Sequence, residues 1–228
     1  MSKDIGDKGP IGVAFDIGTT TIAAASVDME SGRVLGERAL PNPQAKWGGD
    51  VVSRINAAIK DPSLLEGLSK SVREACDTII EGLMGGEKAA EVVIAGNPVM
   101  EHLFLGISPE PLSRPPYKPA FKAAKRLSAK EAGLISGAPL YAFPLIGGFV
   151  GGDAVAVILC LGLRKNPLPA LTIDIGTNSE IMLSSNGAIY ATSAAAGPAF
   201  EGGEIEYGMA ADKGAIQGVK IEGDRVSL

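Results

Sequence analysis

The stretch from Val13 to Thr21 reads Val-Ala-Phe-Asp-Ile-Gly-Thr-Thr-Thr, and it recurs 158 positions later, from Leu171 to Ser179, as Leu-Thr-Ile-Asp-Ile-Gly-Thr-Asn-Ser. Each copy ends an apolar strand with a carboxylate, Asp16 or Asp174, and then places a glycine where a side chain would block close approach. Hydroxyl or amide side chains follow in both copies. The repeat therefore predicts two strand–turn–strand hairpins of the same design.

Hairpins of this design suit a bound nucleotide. Backbone N–H groups at a tight turn can hold a phosphate chain, and a nearby carboxylate can orient Mg²⁺ through the water molecules that the ion keeps. Two such hairpins that face each other would grip a phosphate chain from both sides. We therefore predict that Asp16 and Asp174 face each other across a cleft, with their hairpin tips converging.

Two other interpretations of the repeat compete with this one. A single Asp-Ile-Gly-Thr would be an ordinary tight hairpin, but two copies in the same strand context favour a shared task. Aspartic proteases also carry two Asp-Gly turns and share one proton between two aspartates, but their motif needs Ser or Thr between the Asp and the Gly. Ile17 and Ile175 occupy that place here, and the helices predicted below do not suit an all-β protease.

The order of predicted elements indicates an α/β fold with a mixed sheet and flanking helices. Strands are predicted over 12–17, 20–28, 33–40, 91–95, 140–145, 170–175, 179–183 and 187–192, and helices over 50–59, from 63 to about 85, from 98 onward, over 128–134 and over 153–163. Five prolines mark 107–120 as a loop. This order predicts a first lobe of ribonuclease-H-like topology over 10–163, after a polar tail at 1–9, and the start of an incomplete second lobe over 164–228. In such a lobe the strand Val13–Ile17 lies inside the sheet, and some neighbouring strands are parallel.

The composition narrows the class of partner. The net charge is -5 and the isoelectric point is about 5.0, which argues against a nucleic-acid partner. The N-terminal residues lack the apolar core of a signal peptide. The most apolar window, Leu145–Leu163, carries Asp153 near its centre, and a central Asp disfavours a membrane span. We expect a cytoplasmic protein without a membrane partner.

Sulfur and imidazole groups are scarce. The chain has two cysteines, Cys76 and Cys160, and one histidine, His102. These cannot build a four-thiolate iron–sulfur or zinc site within the chain. Both cysteines are predicted to be buried structural thiols, because free cysteine is often buried. His102 is predicted to be a satisfied surface or core residue rather than a metal ligand.

As a set, six stretches of the sequence resemble one known superfamily, that of actin, hexokinase, glycerol kinase and the heat-shock chaperone ATPases (the ASKHA superfamily). More narrowly, they resemble the ATPase domain of the reductive activators of corrinoid proteins, of the RACo and RamA type. The matching stretches are Ala14–Thr21, Trp47–Ile55, Gly96–Met100, Gly151–Ala154, Thr172–Glu180 and Ala194–Gly202.

The resemblance implies an ATPase that drives electrons onto an inactivated cobalt(II) corrinoid protein, or another metalloprotein, with ATP and Mg²⁺ as cofactors. A separate electron donor is expected, because the chain has no cysteine cluster. The family roles carry over to two carboxylates at the metal and the reaction, Asp16 and Asp174, and to phosphate contacts at Gly18, Thr19, Thr20, Gly176, Thr177 and Asn178.

Asp153 carries a further role from the resemblance. In members similar to glycerol kinase, a Gly-Asp at a helix start before the second phosphate strand supplies the catalytic carboxylate, and Asp153 would orient the attacking water. The alternative is that Asp153 is a helix N-cap, and the two roles can coexist. For Asp50, which also follows Gly-Gly, the N-cap interpretation is favoured.

The sequence after Gly203 lacks the glycine-rich adenosine loop expected of close relatives. We therefore expect this chain to bind ATP weakly or not at all alone, and either to form a homodimer or to be completed by a further C-terminal part. Two other functions stay open. One is a small-molecule kinase for a sugar or acyl substrate, although no convergent acidic and amide set is evident. The other is a non-catalytic fragment that binds a partner.

Overall fold

The computed structural model describes residues 9–134, 136–176, 178–197, 206, 208–209, 214–216, 218–223 and 225–227. The chain divides into two compact units, Met1–Arg164 and Lys165–Leu228. The described helices include none that is long and apolar enough to cross a membrane.

The first unit is built on a six-stranded mixed sheet with the strand order β3-β2-β1-β4-β6-β5. Its strands are β1 (Ile11–Ile17), β2 (Thr21–Asp28), β3 (Val34–Pro41), β4 (Glu91–Gly96), β5 (Lys125–Leu127) and β6 (Leu140–Ala142). The pairs β1–β4 and β4–β6 are parallel, and the pairs β1–β2, β2–β3 and β5–β6 are antiparallel. Strand β1 is interior, so the predicted mixed α/β fold of ribonuclease-H-like topology is confirmed.

Five helices accompany this sheet in the described part of the unit: α1 (Val51–Lys60), α2 (Pro62–Met84), α3 (Pro98–Phe104), α4 (Ala129–Ala132) and α5 (Gly152–Cys160). Asp50 caps α1, because its carboxylate accepts the N–H of Ser53 at 2.8 Å. Helix α2 ends where Gly85 takes a left-handed conformation at φ 59°. The predicted cap at Asp50 and the predicted end of α2 are confirmed.

One face of the sheet packs against the helices. Val13, Phe15 and Ile17 alternate along β1 into this core, where they join the apolar stripe of α2. The other face of β1 carries Ala14 and Asp16, which are exposed. The same alternation that buries the core therefore directs Asp16 away from it.

The two cysteines differ in environment. Cys76 is buried on α2, as predicted, but Cys160 is exposed at the end of α5, so its predicted burial is wrong. In α5 the described buried residues are Gly152 and Ala154 of the first turn. An apolar run such as Ala-Val-Ile-Leu-Cys-Leu does not show which turns of a helix are packed. The sequence of the run gives no signal that its first turn is buried and its last residue exposed.

His102 is a satisfied core residue, as predicted. It is fully buried on α3, and its Nδ1 lies 2.6 Å from the carbonyl oxygen of Pro98. The N–H of Ala120 donates to Nε2 at 3.0 Å. Burial is the main cause that lowers the pKa of His102 below its usual value. The neutral ring therefore ties α3 to the proline-rich loop.

Some predicted elements are shorter than expected, and one strand was missed. Strand β6 ends at Ala142 rather than at 145, and α5 ends at Cys160 rather than at 163. Strand β5 was not predicted. It pairs with β6 at the edge of the sheet, and its sequence Lys-Arg-Leu has no apolar alternation to mark it.

The second unit contains a three-stranded antiparallel sheet, β7 (Ala170–Asp174), β8 (Asn178–Ser185) and β9 (Ala188–Ala195). Asn186 and Gly187 join β8 to β9 with φ angles of 51° and 75°, which is the left-handed conformation that an Asn-Gly pair adopts in a tight hairpin turn. A two-stranded hairpin follows, β10 (Lys220–Glu222) and β11 (Arg225–Ser227). Of the glycine-rich segment 197–203, all residues after Gly197 lie outside the described residues.

Candidate functional site

The first predicted phosphate hairpin joins β1 to β2 through Gly18, Thr19 and Thr20. Gly18 and Thr19 are half-buried, and Thr20 is exposed at the tip. A Cβ at Gly18 would lie 2.5 Å from the carbonyl oxygen of Thr21, so this position requires glycine for steric reasons. Asp16 lies on the open side of the sheet, where it lines a depression of about 690 Å³ with small side chains of β1 and β2.

Three polar side chains from distant parts of the chain hold this hairpin. Asn42 donates from Nδ2 to the carbonyl oxygen of Gly18 at 2.8 Å. Arg54 donates from Nη2 to the carbonyl oxygen of Thr19 at 2.6 Å, and Asn97 donates from Nδ2 to Oγ1 of Thr19 at 3.1 Å. The acceptors of these bonds are two backbone carbonyl oxygens of the turn and one side-chain hydroxyl. The hairpin tip is thereby fixed before any ligand binds.

Arg54 is fully buried beneath the tip. Its guanidinium also donates to the carbonyl oxygen of Gly48 at 2.9 Å and to Oε1 of Gln44 at 3.2 Å. Burial lowers the pKa of Arg54 to about 10, against the opposing charge of Asp50, so the group stays cationic at neutral pH. A positive charge therefore lies directly under a turn that is predicted to bind anionic phosphates.

Both asparagines combine two tasks. Asn42 accepts the N–H of Gln44 at 2.9 Å and so caps a short 3₁₀ helix, Pro43–Trp47. Asn97 accepts the N–H of Met100 at 3.0 Å and so caps α3. Because the Oδ1 atom serves the cap, the amide nitrogen is left to reach the hairpin. The sequence signal for both is an Asn followed by a Pro, which predicts the cap but not the second bond.

Asp153 lies in the first turn of α5, which starts close to these supports. A Cβ at Gly151 would collide with the carbonyl of Gly96 and would lie 2.7 Å from Cα of Asn97. The start of α5 therefore abuts Asn97, which in turn bonds to Thr19. The cap position itself is Gly151, so the interpretation of Asp153 as the N-cap is wrong.

The Asp153 carboxylate is half-buried, and its Oδ1 accepts the N–H of Ala154 at 2.7 Å. This bond holds the carboxylate against the first turn of the helix. Glu101 lies next to this turn, because a Cβ at Gly152 would collide with its Oε1. Sequence reasoning missed Glu101, which occupies a helix position where no apolar pattern or motif marks it.

The second predicted hairpin joins β7 to β8. Asp174 is exposed, Gly176 and Asn178 are half-buried, and the hydroxyl of Ser179 donates to the carbonyl oxygen of Gly176 at 3.4 Å. Thr177 lies outside the described residues. The placement of this hairpin relative to the first remains a prediction.

The two copies of the repeat differ in register by one residue. Asp16 lies opposite Ala23, whereas Asp174 lies opposite Glu180. Since a slip of one residue moves a side chain to the other face of a sheet, Glu180 shares a face with Asp174, while its counterpart Ile22 is buried in the core. Glu180 is buried, and Ser193 donates its hydroxyl to Glu180 Oε1 at 3.2 Å. The sequence repeat alone did not indicate this second carboxylate.

The residues present suit a nucleotide with Mg²⁺. The first hairpin offers a tight turn without a side chain at Gly18, an exposed carboxylate at Asp16 and a buried cation at Arg54. Mg²⁺ needs few direct protein ligands because it keeps several waters. The chemistry of the donor set therefore matches a hydrated Mg²⁺–phosphate complex.

Models of known protein families match both units of the chain. The model of the "RACo middle region" matches residues 11–166, and the model of the "C-terminal domain of RACo the ASKHA domain" matches residues 169–228. The two matches together cover most of the chain.

Individual relatives agree with these families. The chain is 36% identical over 223 residues to the corrinoid activation enzyme RamQ of Eubacterium limosum, a match that covers 95% of the chain and 37% of the relative. It is 27% identical over 225 residues to the [Co(II) methylated amine-specific corrinoid protein] reductase of Methanosarcina barkeri, which covers 93% of the chain and 41% of the relative.

Among solved structures, a reductive activator for corrinoid,iron-sulfur protein superposes with a TM-score of 0.86 at 38% identity. This match covers 97% of the chain and 37% of that structure. The chain thus spans about two fifths or less of the length of these relatives.

Proposed function

The chain belongs to the RACo family of corrinoid-protein reductive activators, and on this premise we propose that it forms the phosphate-binding part of an ATPase that reactivates a corrinoid protein. ATP and Mg²⁺ are the proposed cofactors. The partner is a corrinoid protein or a related metalloprotein, whose cobalt(II) gains one electron from a separate donor. A homodimer is part of the proposal, as is a cytoplasmic location.

The observation that supports this proposal is the support under the first hairpin. Arg54, Asn42 and Asn97 occupy the carbonyl side of the turn and one hydroxyl. Fixed dipoles and charges that need no rearrangement bind a developing or existing charge best. A turn that served only to connect two strands would not require a fully buried cation.

Each chain residue has a proposed task. The turn at Gly18, Thr19 and Thr20 holds one side of the phosphate chain, and Gly176, Thr177 and Asn178 hold the other. Mg²⁺, when bound, neutralises the phosphate oxygens. Asp16 and Asp174 orient its waters.

Asp153 orients the attacking water as a carboxylate, because positioning dominates phosphoryl transfer. Its half-buried place in the first turn of α5 and the bond from the N–H of Ala154 hold it in one orientation. The family match supports an ATPase activator over a small-molecule kinase.

The test is ATP turnover by the purified protein, with and without a cobalt(II) corrinoid protein and a one-electron donor. We expect the corrinoid protein to stimulate hydrolysis and cobalt(I) to form only when ATP and the donor are both present. Asp153→Asn should lower kcat at least tenfold with little change in KM. Phosphate transfer to a sugar in place of hydrolysis would contradict the proposal.

A further inference from the structure

Glu101 on α3 is an enclosed carboxyl group that the proposed mechanism does not yet use. It has no exposed surface, and neither of its carboxylate oxygens has a hydrogen-bond partner among the described residues. Its Oε1 lies against Gly152, the first residue of α5, on the side where a Cβ would also meet Phe143. An ionised carboxylate in such a place costs far more free energy than a neutral acid.

The charges around Glu101 do not compensate an anion. Asp153 on α5 is the charged group whose field acts on it. Arg54 on α1 and Arg73 on α2 also reach α3, but they bond there to a methionine sulfur and to a backbone carbonyl. His102, the next residue on α3, is neutral and bonded elsewhere.

Burial and then the charge of Asp153 raise the pKa of Glu101 to about 9. The amides of Gly96 and Gly152 act in the opposite direction, although neither reaches hydrogen-bond geometry with the carboxylate oxygens. The burial and the missing partners lead to the same conclusion as the pKa. The proton belongs on Glu101 at neutral pH.

The environments of the two carboxyl groups differ in the way that separates an acid from a base. Asp153 is half-buried, in a first helical turn, with an N–H donor at 2.7 Å. Glu101 is enclosed and without a donor in hydrogen-bond geometry. Two neighbouring carboxyl groups in a low dielectric do not both ionise readily.

We propose that Glu101 carries a proton in the native protein and that this neutral carboxyl group, through its packing against Gly152, keeps the Asp153 carboxylate in place at the start of α5. Its consequence for catalysis rests on the proposed ATPase function. A neutral Glu101 leaves Asp153 as the single negative charge in this turn. Ionisation of Glu101 would add a second charge beneath the turn and would displace both Asp153 and the anionic phosphate chain.

The test is a pH titration of the purified chain by NMR, which needs no nucleotide. The carboxyl carbon of Glu101 should titrate near pH 9 rather than near its ordinary 4.5. The amide proton of Ala154, which reports the bond to Asp153, should show a step at the same pH. Glu101→Gln keeps the shape of the neutral acid, so it should fold and should lose this step. Glu74→Gln, at an exposed position on α2, should keep it.

Two results would overturn the inference. One is a Glu101 carboxyl group that titrates near pH 4.5. The other is an Ala154 amide that does not respond when Glu101 ionises. Both use the unaltered chain, so a variant that fails to fold leaves the test intact.

Measurements of ATP turnover then distinguish a failure of this inference from a failure of the proposed function on which it rests. Glu101→Gln should lose the fall in rate that ionisation of Glu101 causes at alkaline pH, whereas Glu101→Leu should lower kcat about tenfold at unchanged KM. Absence of ATP turnover in a full-length relative that carries the corresponding residues contradicts the proposed function, while the NMR titration of this chain still decides the state of Glu101.

Discussion

The guanidinium Nη2 of Arg54 lies 2.6 Å from the carbonyl oxygen of Thr19, across 35 positions of sequence. A fully buried cation on α1 thus supports the tip of the first hairpin. The same side chain also bonds to Gly48 and Gln44. It therefore joins the segment before α1 to the predicted phosphate site.

Replacement of Arg54 should lower the stability of the folded protein. Arg54→Met should lower the free energy of unfolding by about 2–4 kcal/mol, because the carbonyl groups of Thr19 and Gly48 lose a charged donor in the interior. Arg54→Lys keeps the charge but cannot bond to all the acceptors. Its free energy of unfolding should therefore lie between those of the parent protein and Arg54→Met. Urea unfolding measures these free energies. Equal stability of all three proteins would contradict the role assigned to Arg54.

Asn97 allows the helix cap to be separated from the hairpin support. Asn97→Asp retains an acceptor for the N–H of Met100 but loses the donor to Thr19 and adds a negative charge near the turn. We expect the free energy of unfolding to change by about 1 kcal/mol or less and Mg-ATP affinity to fall at least tenfold. Asn56→Asp, at an exposed position on α1, is the matched control for charge. Unchanged affinity in Asn97→Asp would show that the bond to Thr19 is dispensable.

The tight glycines predict a contrast between pairs of alanine variants. Gly18→Ala would place a Cβ 2.5 Å from the backbone oxygen of Thr21, and Gly151→Ala would collide with the backbone of Gly96. Both should be clearly destabilised, by about 1–3 kcal/mol. Gly49→Ala and Gly147→Ala meet nothing within 4 Å and should unfold like the parent. Thermal unfolding of the four variants measures this contrast. A Gly151→Ala variant that is as stable as the parent would refute the close packing of the start of α5 against Gly96.

Stability should fall with rising pH because of Glu101. Its pKa is raised from 4.5 to about 9 in the native state, so between these values the native protein holds a proton that the unfolded chain has lost. The free energy of unfolding should therefore decrease by up to about 1.4 kcal/mol per pH unit from this group in that window. Above pH 9 its contribution should level off. Urea unfolding at several pH values should show a smaller slope for Glu101→Gln, and an identical slope would contradict the protonated state.

Local sequence patterns predicted most of the fold. The alternation of Val13, Phe15 and Ile17 placed β1 in the core, and the caps at Asp50 and Asn97 marked two helix starts. These features depend on neighbours within a few residues, which a sequence displays directly. Cys160 and the edge strand β5 were missed because burial and edge pairing depend on the rest of the molecule.

The candidate site was predicted only in part, for the same physical reason. The two hairpins follow from the repeat, but their supports come from far away in the chain. Asn97 and Thr19 are 78 positions apart. The one-residue slip that places Glu180 opposite Asp174 is likewise a property of strand pairing, and the Asp-Ile-Gly-Thr that the two copies share gave no sign of it.

A residue-resolved titration of the chain with Mg-ATP tests most directly whether both hairpins hold one phosphate chain. Amide signals of Gly18, Thr19 and Thr20 and those of Gly176 and Asn178 should shift together with a single Kd, even where binding is weak. Mg-tripolyphosphate should reproduce these shifts, and adenosine should not. Shifts confined to one hairpin would contradict the claim that both hairpins hold one phosphate chain, whereas an absence of shifts at both would match a chain that does not bind ATP alone.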